Sequence, residues 1–279
     1  MLYSSYFPIV ISLLVLWIFC LTIRFDLQEL LSNGTWGSAN RKKKESKPSP
    51  DAALFALQAP TRKRLFEKAL TKPNAVLVDL FVFLVPEAHC PSLARIGNEA
   101  DGGKWTCNPW RLEEDCIVLS LGSNDDLSFE RGIVAQTKRR CKTITVDAKL
   151  PQASTTKEIQ DLGGEFIQTR IGQGKGEMSI REVMDRAEAK RVDILKIDIE
   201  GSETSSLLPF LNATTPCQIL IEMHKVNTMP KLMRGIANRG YYLMYYEINV
   251  IGVYACEFSY IHKSCMEEFG VELLGAYLA

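Results

Sequence analysis

One stretch in the second half of the chain, VDILKIDIEGSE at Val192–Glu203, constrains the fold more than any other. Its β-branched apolar residues predict a strand that is buried on both faces. The strand ends in two carboxylates and a glycine, at Asp198, Glu200 and Gly201. Open α/β sheets build ligand sites from buried strands that deliver carboxylates at their C-terminal ends, before a glycine turn and a helix. The alternative is a strand whose end is simply solvated.

Predicted strands and helices alternate around this stretch. We expect strands at 117–121, 143–146, 166–169, from 192, 218–223, 241–246 and 250–257. We expect helices at 127–140, 155–162, 179–189, 203–211 and 230–239. This order predicts an α/β fold with a doubly wound, mostly parallel sheet. The two consecutive strands at the end predict an antiparallel hairpin at one edge of that sheet.

The N-terminal part of the chain has a different character. Residues 7–23 (FPIVISLLVLWIFCLTI) are uncharged, which predicts a transmembrane or signal-anchor helix, with a signal peptide as the alternative. Residues 24–50 are rich in Gly, Ser, Asn, Lys and Pro and predict a stem. A helix is expected at 52–70, interrupted at Pro60, and an apolar run at 76–85 is expected to pack as a helix or strand.

Charge and cysteine content bear on partners and compartment. The 33 basic and 33 acidic residues leave no net charge, so no nucleic-acid partner is expected. The eight dispersed cysteines are typical of disulfides in an oxidising compartment or of buried thiols in the cytosol, and Cys90 could pair with Cys107. Sequons at Asn33 and Asn212 favour a lumenal main domain, whereas the basic residues after the anchor favour the cytosol. We expect a single-pass membrane protein of the ER or Golgi with its main domain in the lumen.

The ends of three strands predict a cofactor site. The first end comprises Ser120, Leu121, Gly122, Ser123 and Asn124. Its small turn lets backbone amides approach a ligand. The second strand ends in Asp147, whose carboxylate can accept hydrogen bonds from both hydroxyls of a ribose. The third end is Asp198, followed by Glu200.

The cofactor that fits these ends has a ribose but no pyrophosphate. The dinucleotide fingerprint GxGxxG is absent from the first turn, and no YxxxK pair is present. The glycine-rich residues 172–176 (GQGKG) lack the right spacing and are expected to form a turn. S-adenosylmethionine is the common cofactor of this kind.

Three blocks of the sequence resemble FkbM-type methyltransferases. VDILKIDIEGSE is similar to the signature of that family, and ILIEMH at 219–224 is similar to its next strand. GGKWTCNPWRL at 102–112, followed by DCIVLSLGSNDDLSFE at 115–130, resembles the animal methyltransferase-like branch, whose members often carry an N-terminal anchor. The resemblance implies a Rossmann-like class I methyltransferase fold that binds S-adenosylmethionine.

The resemblance also assigns roles to residues. Gly122 and its neighbours match the first cofactor motif, Asp147 matches the ribose acid, and Asp198 with Glu200 matches the central acidic tip. We divide the chain into a tail at 1–6, an anchor at 7–23, a stem at 24–50, a helical and cysteine-containing cap at 51–115 and a methyltransferase domain at 116–279.

The first turn departs from the family pattern, because GSNDD replaces a motif with more glycines. The extra carboxylates, Asp125 and Asp126, could interact with the cationic sulfonium or crowd the methionine carboxylate of the cofactor. A methyltransferase fold that has lost its cofactor and acts as a binding module in the secretory pathway is therefore an alternative.

Transfer to an acceptor oxygen would be helped by a base. Asp198, Glu200 and His224 are the catalytic candidates, because adjacent strand ends should bring them together. The acceptor is expected to be a small molecule or a glycan. No metal site is predicted, since Asp198 and Glu200 lack a third ligand in the sequence. A glycan-modifying transferase that uses Asp198-Ile199-Glu200 as a DxD-like metal motif is a further alternative.

Overall fold

The computed structural model describes residues 49–72, 77–99, 101–249 and 255–279. The predicted anchor at 7–23, nearly all of the stem and the sequon at Asn33 lie outside these residues. Among the described residues, no helix is both long enough and apolar enough to cross a membrane.

Thirteen strands occur in the described residues. In chain order they are β1 (Ala88–His89), β2 (Leu93–Ile96), β3 (Lys104–Cys107), β4 (Ile117–Leu121), β5 (Lys142–Asp147), β6 (Glu165–Gln168), β7 (Arg170–Ile171), β8 (Glu177–Met178), β9 (Ile194–Ile197), β10 (Gln218–Met223), β11 (Tyr241–Ile248), β12 (Cys256–His262) and β13 (Glu272–Leu273). The residues 172–176 connect β7 to β8 through bends and a turn, as expected.

Eight α-helices accompany the strands in the same part of the chain. They are α1 (Pro50–Thr71), α2 (Leu77–Phe81), α3 (Ser128–Gln136), α4 (Ala153–Asp161), α5 (Ile180–Arg186), α6 (Glu203–Phe210), α7 (Met229–Ala237) and α8 (Met266–Phe269). Two 3₁₀ turns lie at Pro109–Arg111 and Lys263–Cys265.

Seven of the strands form the central sheet, in the order β11-β12-β10-β9-β4-β5-β6. The five strands from β10 to β6 are parallel, and β12 is antiparallel to both β10 and β11. The predicted doubly wound sheet with an antiparallel edge hairpin is therefore confirmed. The chain runs outward from β4 to β6 and then returns to β9, so the strand order reverses between β4 and β9. Ligands bind at such a switch point, above the carboxyl ends of the strands.

The predicted central strand forms β9, and all four of its residues are buried. It starts at Ile194 rather than at residue 192 and ends before Asp198, which places the carboxylates in the following turn. The last strand was predicted at 250–257, of which residues 250–254 lie outside the described residues; in the described part, β12 runs over Cys256–His262, beyond the predicted end. The alternating polar residues of β12 gave no buried-strand pattern in the sequence. The strand is nevertheless covered on both faces, and it buries Glu257 and Ser259 as well as apolar side chains.

The expected interruption at Pro60 is wrong, because α1 continues through it. Proline removes one backbone donor, which leaves the carbonyl of Ala56 without its helical partner. Both Pro60 and Ala56 are exposed, so water can satisfy that carbonyl. The opposite face of α1 is held in the core by aromatic contacts, with the Phe66 and Phe83 ring centroids 5.3 Å apart.

Three disulfides join segments at the amino ends of the parallel strands. The pairs are Cys90–Cys107, Cys116–Cys141 and Cys217–Cys265. Cys116, Cys141 and Cys217 immediately precede β4, β5 and β10, and the predicted pairing of Cys90 with Cys107 is confirmed. Cys256 is a free, buried thiol. The disulfides therefore stabilise the side of the sheet at which the parallel strands begin, opposite to their carboxyl ends.

Candidate active site

A cavity of about 1090 Å³ lies over the carboxyl ends of the central strands, at the switch point. The turns after four strands contribute to its wall, through Gly122 after β4, Asp147 at the end of β5, Asp198 after β9 and His224 after β10. Most of the residues predicted from strand ends meet at this cavity. Those that line it are Gly122, Ser123, Asn124, Asp147, Asp198, Glu200 and His224. Ser120 and Leu121 lie within β4 with buried side chains, behind the wall.

The first turn is closed around Asp147. The backbone N–H groups of Ser123 and Asn124 donate to Oδ2 of Asp147, at 3.0 and 2.7 Å. The backbone N–H of Lys149 donates to Oδ1 at 2.8 Å. The turn amides that we expected to approach a ligand are thus engaged by a protein carboxylate. A carboxylate has about four acceptor positions, so Asp147 keeps capacity for a ligand hydroxyl.

The two extra carboxylates of the GSNDD turn organise the starts of helices. Asp126 accepts hydrogen bonds from the backbone N–H and the hydroxyl of Ser128, the first residue of α3, and from Nδ2 of Asn98. Asp125 accepts from the backbone N–H of Gln152, which precedes α4. Helix N-termini carry unpaired N–H groups and favour negative charge. The two carboxylates that distinguish this turn from the glycine-rich pattern therefore hold the N-terminal ends of α3 and α4.

A buried lysine lies among the acids at the base of the cavity. Nζ of Lys104, in β3, lies 2.6 Å from Oε1 of Glu257, 3.6 Å from Oε2 of Glu222 and 3.7 Å from Oδ2 of Asp198. Only 1% of the Lys104 side chain is exposed. Burial lowers the pKa of Lys104, but the three carboxylates outweigh that effect and hold it above its usual value. Sequence reasoning missed this lysine, although a charged residue inside the apolar strand of the block GGKWTC was a signal.

His224 is surrounded by carboxylates. Its Nδ1 lies 2.7 Å from Oε1 of Glu203, and its Nε2 lies 3.6 to 3.9 Å from oxygens of Asp198, Glu200 and Glu222. Burial lowers the pKa of His224, but the hydrogen bond and charge of Glu203, with Glu222 and Asp198, raise it to about 9. The three catalytic candidates predicted from the sequence are thus brought together, and Glu203 and Glu222 join them.

The cluster carries more acids than cations, and its acids respond in opposite ways. Burial, followed by repulsion from Glu257 and Asp198, raises the pKa of Glu222 to about 8. Burial would also raise the pKa of Asp198, but Lys104, Lys196 and His224 together lower it below its usual value. At neutral pH the site therefore holds Asp198 ionised and keeps protons on Glu222 and His224. The ionised Asp198, with the exposed carboxylate of Glu200 beside it, offers a cationic ligand group a favourable position in the cavity.

One ligand atom from each of Asp198, Glu200 and His224 lies within 4.8 Å of the others. The structure therefore places His224 beside Asp198 and Glu200 as a possible third metal ligand. The sequence did not identify these three residues as a metal-binding set. The ammonium of Lys104 already provides positive charge beside one of these acids, Asp198, at 3.7 Å.

Comparison with known proteins adds the family. A profile of a methyltransferase domain matches residues 61–262. The chain belongs to this methyltransferase domain family. The expected enzyme class and Rossmann-like fold are therefore confirmed, as is S-adenosylmethionine as the cofactor. No curated protein matches the sequence.

Solved structures show weak similarity to this methyltransferase. Precorrin-6y C5,15-methyltransferase from Geobacter metallireducens is 9% identical with a TM-score of 0.38, covering 55% of this chain and 83% of the other. The Methanococcus jannaschii fibrillarin pre-rRNA processing protein is 11% identical with a TM-score of 0.40, covering 54% and 68%. Aeropyrum pernix fibrillarin in complex with S-adenosyl-L-methionine is 12% identical with a TM-score of 0.38, covering 62% and 84%.

The residues of the cavity fit S-adenosylmethionine. Asp147 retains acceptor capacity for a ribose hydroxyl, and the ionised Asp198 with the exposed Glu200 suits a cationic sulfonium. The cavity volume of about 1090 Å³ is at the upper end for small-molecule sites, which leaves room for an acceptor beside the cofactor.

Proposed function

We propose that this methyltransferase transfers a methyl group to an oxygen of a neutral, hydroxyl-bearing acceptor, either a small molecule or a glycan. The observation that carries the proposal is the position of His224. Its Nε2 faces the cavity beside Asp198 and Glu200, while Nδ1 is held by Glu203 on the opposite side of the ring. An imidazole nitrogen at that place can accept the proton that a hydroxyl acceptor must lose.

Each residue has a defined task in this proposal. S-adenosylmethionine, when bound, supplies an electrophilic methyl group on a cationic sulfur. Asp147 binds a ribose hydroxyl, and Asp198 and Glu200 offset positive charge in the cavity. The acceptor oxygen would form its new bond to the methyl carbon as the carbon–sulfur bond breaks and leaves a neutral thioether, and the acceptor's proton would pass to Nε2 of neutral His224. Much of the rate then comes from the orientation of the two reactants, which the fixed strand ends provide.

The outer wall of the cavity supports a neutral acceptor. Its polar side chains include carboxylates and amides that accept hydrogen bonds from hydroxyl groups. These residues are Asn98, Glu99, Asp101, Asp126, Glu200 and Asn249. Acids outnumber the basic residues of the cavity lining, which are Lys149, Arg170 and Lys196, so we expect phosphate and carboxylate acceptors to be poor substrates.

The FkbM-type assignment belongs to this proposal. The signature stretch Val192–Glu203 runs through β9 and the turn to the first residue of α6, and ILIEMH ends at His224. Both blocks thus deliver side chains to one cavity. The alternative of a non-catalytic binding module loses its main support, because Asp125 and Asp126 are engaged at helix starts. The glycan-modifying alternative would require dependence on a nucleotide sugar and manganese.

We also propose that the chain is a single-pass membrane protein of the ER or Golgi whose main domain lies in the lumen. The three disulfides support an oxidising environment. Asn212 of the second sequon is exposed just after α6, and its Oδ1 accepts from Nε and Nη2 of Arg239, at 3.1 and 2.7 Å. Treatment of the full chain from eukaryotic cells with an N-glycosidase should increase its gel mobility. The part of this shift due to Asn212 should be lost in Asn212→Gln, and a protein with free thiols and no glycan would contradict the lumenal placement.

The function is tested with the purified full-length chain in detergent and methyl-labelled S-adenosylmethionine. The acceptors are neutral glycans and polyols, compared with their phosphorylated and carboxylated counterparts. We expect label transfer to neutral hydroxyl compounds and its loss in His224→Gln. His262→Gln is the matched control, because His262 lies away from the cavity, at the amino end of β10, where its backbone N–H donates to the carbonyl oxygen of Cys217. Undiminished transfer by His224→Gln, or transfer confined to anionic acceptors, would contradict the proposal.

A further inference from the structure

Glu203 is a buried acid that the roles above leave unexplained. It is the first residue of α6, and only 4% of its side chain is exposed. Its Oε1 accepts a hydrogen bond from the backbone N–H of Gly201 at 2.9 Å and lies 2.7 Å from Nδ1 of His224. A buried ionised carboxylate requires such partners. Glu203 therefore links the turn after β9 to the histidine after β10.

The other carboxylates around the ring do not hold it in the same way. Those of Asp198, Glu200 and Glu222 approach Nε2 at 3.7, 3.6 and 3.9 Å, which is beyond hydrogen-bonding distance. Of the four surrounding acids, only Glu203 is hydrogen-bonded to the imidazole. An ionised carboxylate is acceptor-only, so Nδ1 must be the nitrogen that carries the proton in this contact. In neutral His224 the lone pair is then on Nε2.

We propose that Glu203 is a positioning residue, which fixes the ring of His224 so that the Nε2 lone pair faces the acceptor. This inference rests on the proposed function, because it assigns a purpose to the orientation of a base. The arrangement follows a general rule for catalytic and ligating histidines, in which the hydrogen bond at one nitrogen selects the chemistry of the other. The backbone N–H of Gly201 keeps the Glu203 carboxylate in place.

The first test is nuclear magnetic resonance of the histidine ring nitrogens in the full-length protein. The chain has only three histidines, so His224→Gln assigns the signal. Above the His224 pKa of about 9, we expect the wild-type ring in the tautomer protonated at Nδ1. Glu203→Leu should release the ring and shift it toward the Nε2-protonated tautomer. Glu203→Gln, which retains an acceptor but loses the charge, should lower the His224 pKa by roughly one unit or more.

The other charged groups that face His224 must stay unchanged in this comparison. They are Asp198, Glu200, Glu222 and, through Asp198, Lys104. The same two substitutions at Glu182 provide the control, because Glu182 also binds a helix start, in the capping box of α5 with Ser179. They should reduce stability without changing the tautomer or pKa of His224. An unchanged tautomer in folded Glu203→Leu together with an unchanged pKa in folded Glu203→Gln would overturn the inference.

A kinetic measurement separates positioning from folding. With an acceptor in hand, we expect Glu203→Leu to lower kcat about a hundredfold, while KM for the acceptor stays within about twofold. Loss of protein fold would instead reduce the active fraction and leave the pH profile unchanged. If the wild-type protein transferred no methyl group, the proposed function would fail, while the ring measurements would still decide whether Glu203 fixes His224.

Discussion

Gly122 lies directly against the main chain of Asp198. A Cβ atom at Gly122 would come within 1.8 Å of the Asp198 carbonyl oxygen, and the residue has a φ of +84°. The backbone N–H of Asp198 donates to the carbonyl of Leu121 at 2.9 Å, and Nζ of Lys196 donates to the carbonyl of Gly122 at 2.6 Å. The two turns at the switch point therefore pack as one unit, and the cofactor turn and the acidic turn depend on each other.

Gly122→Ala should disrupt this unit. The clash is with backbone, which cannot move aside as a side chain can, and positive φ adds strain. We expect a loss of about 2 to 4 kcal/mol in the free energy of unfolding, measured by denaturant titration, and loss of cofactor binding. Gly163→Ala is the control, because Gly163 has a φ of +75° but nothing within 4 Å of an added Cβ. It should cost about 1 kcal/mol. Equal losses in both variants would show that strain alone matters.

Asp147→Ala should abolish S-adenosylmethionine binding in calorimetric titration. The substitution removes the ribose acceptor and also leaves the amides of Ser123 and Asn124 without their partner. Loss of charged hydrogen bonds corresponds to a decrease in affinity of about tenfold to a hundredfold for each bond. Asp161→Ala, which removes an exposed ion pair with Lys157, should bind normally. Saturable binding of wild-type strength by Asp147→Ala would refute the ribose assignment.

Methyl transfer should accelerate as the pH rises toward about 9. His224 accepts a proton only when neutral, and its raised pKa keeps it protonated at neutral pH. The logarithm of kcat/KM should therefore rise with pH at a slope near one and level off near the pKa of His224 in the free enzyme. His224→Gln should remove this limb, whereas His262→Gln should retain it. A profile that is flat between neutral pH and the pKa of His224 would argue against a histidine base.

Lys104→Met should destabilise the protein by about 3 to 5 kcal/mol, because the carboxylates of Glu257 and Asp198 would lose a buried counter-charge. Adding Glu257→Gln should recover part of the loss, since one uncompensated charge is then removed. Lys142→Met, which breaks a half-exposed pair with Glu165, should cost under about 1 kcal/mol. Denaturant midpoints compare the three variants, and similar costs for Lys104→Met and Lys142→Met would contradict a structural role for the buried cation.

The positions of the parallel strands along the chain followed from local patterns, and so did the residues at their ends. β4 and β10 occur at the predicted residues, because apolar runs bounded by turns depend on neighbouring residues alone. β12 continues to His262, beyond its predicted end, and α1 was wrongly expected to break at Pro60, because both features depend on what covers these segments. The turn GSNDD looked degenerate as a cofactor motif in the sequence. The structure shows that its acids, Asp125 and Asp126, bind the starts of two helices.

The sequence by itself determined the fold class, the switch point and the meeting of Asp147, Asp198, Glu200 and His224 at one edge of a sheet, because parallel strands align their carboxyl ends. Only the tertiary structure decided which charges surround them. Lys104 comes from an antiparallel hairpin and Glu257 from the reversed strand β12, at positions 153 residues apart. Glu203 orients His224 across 21 residues. Electrostatic effects depend on distance in space and on burial, and neither is encoded by spacing along the chain.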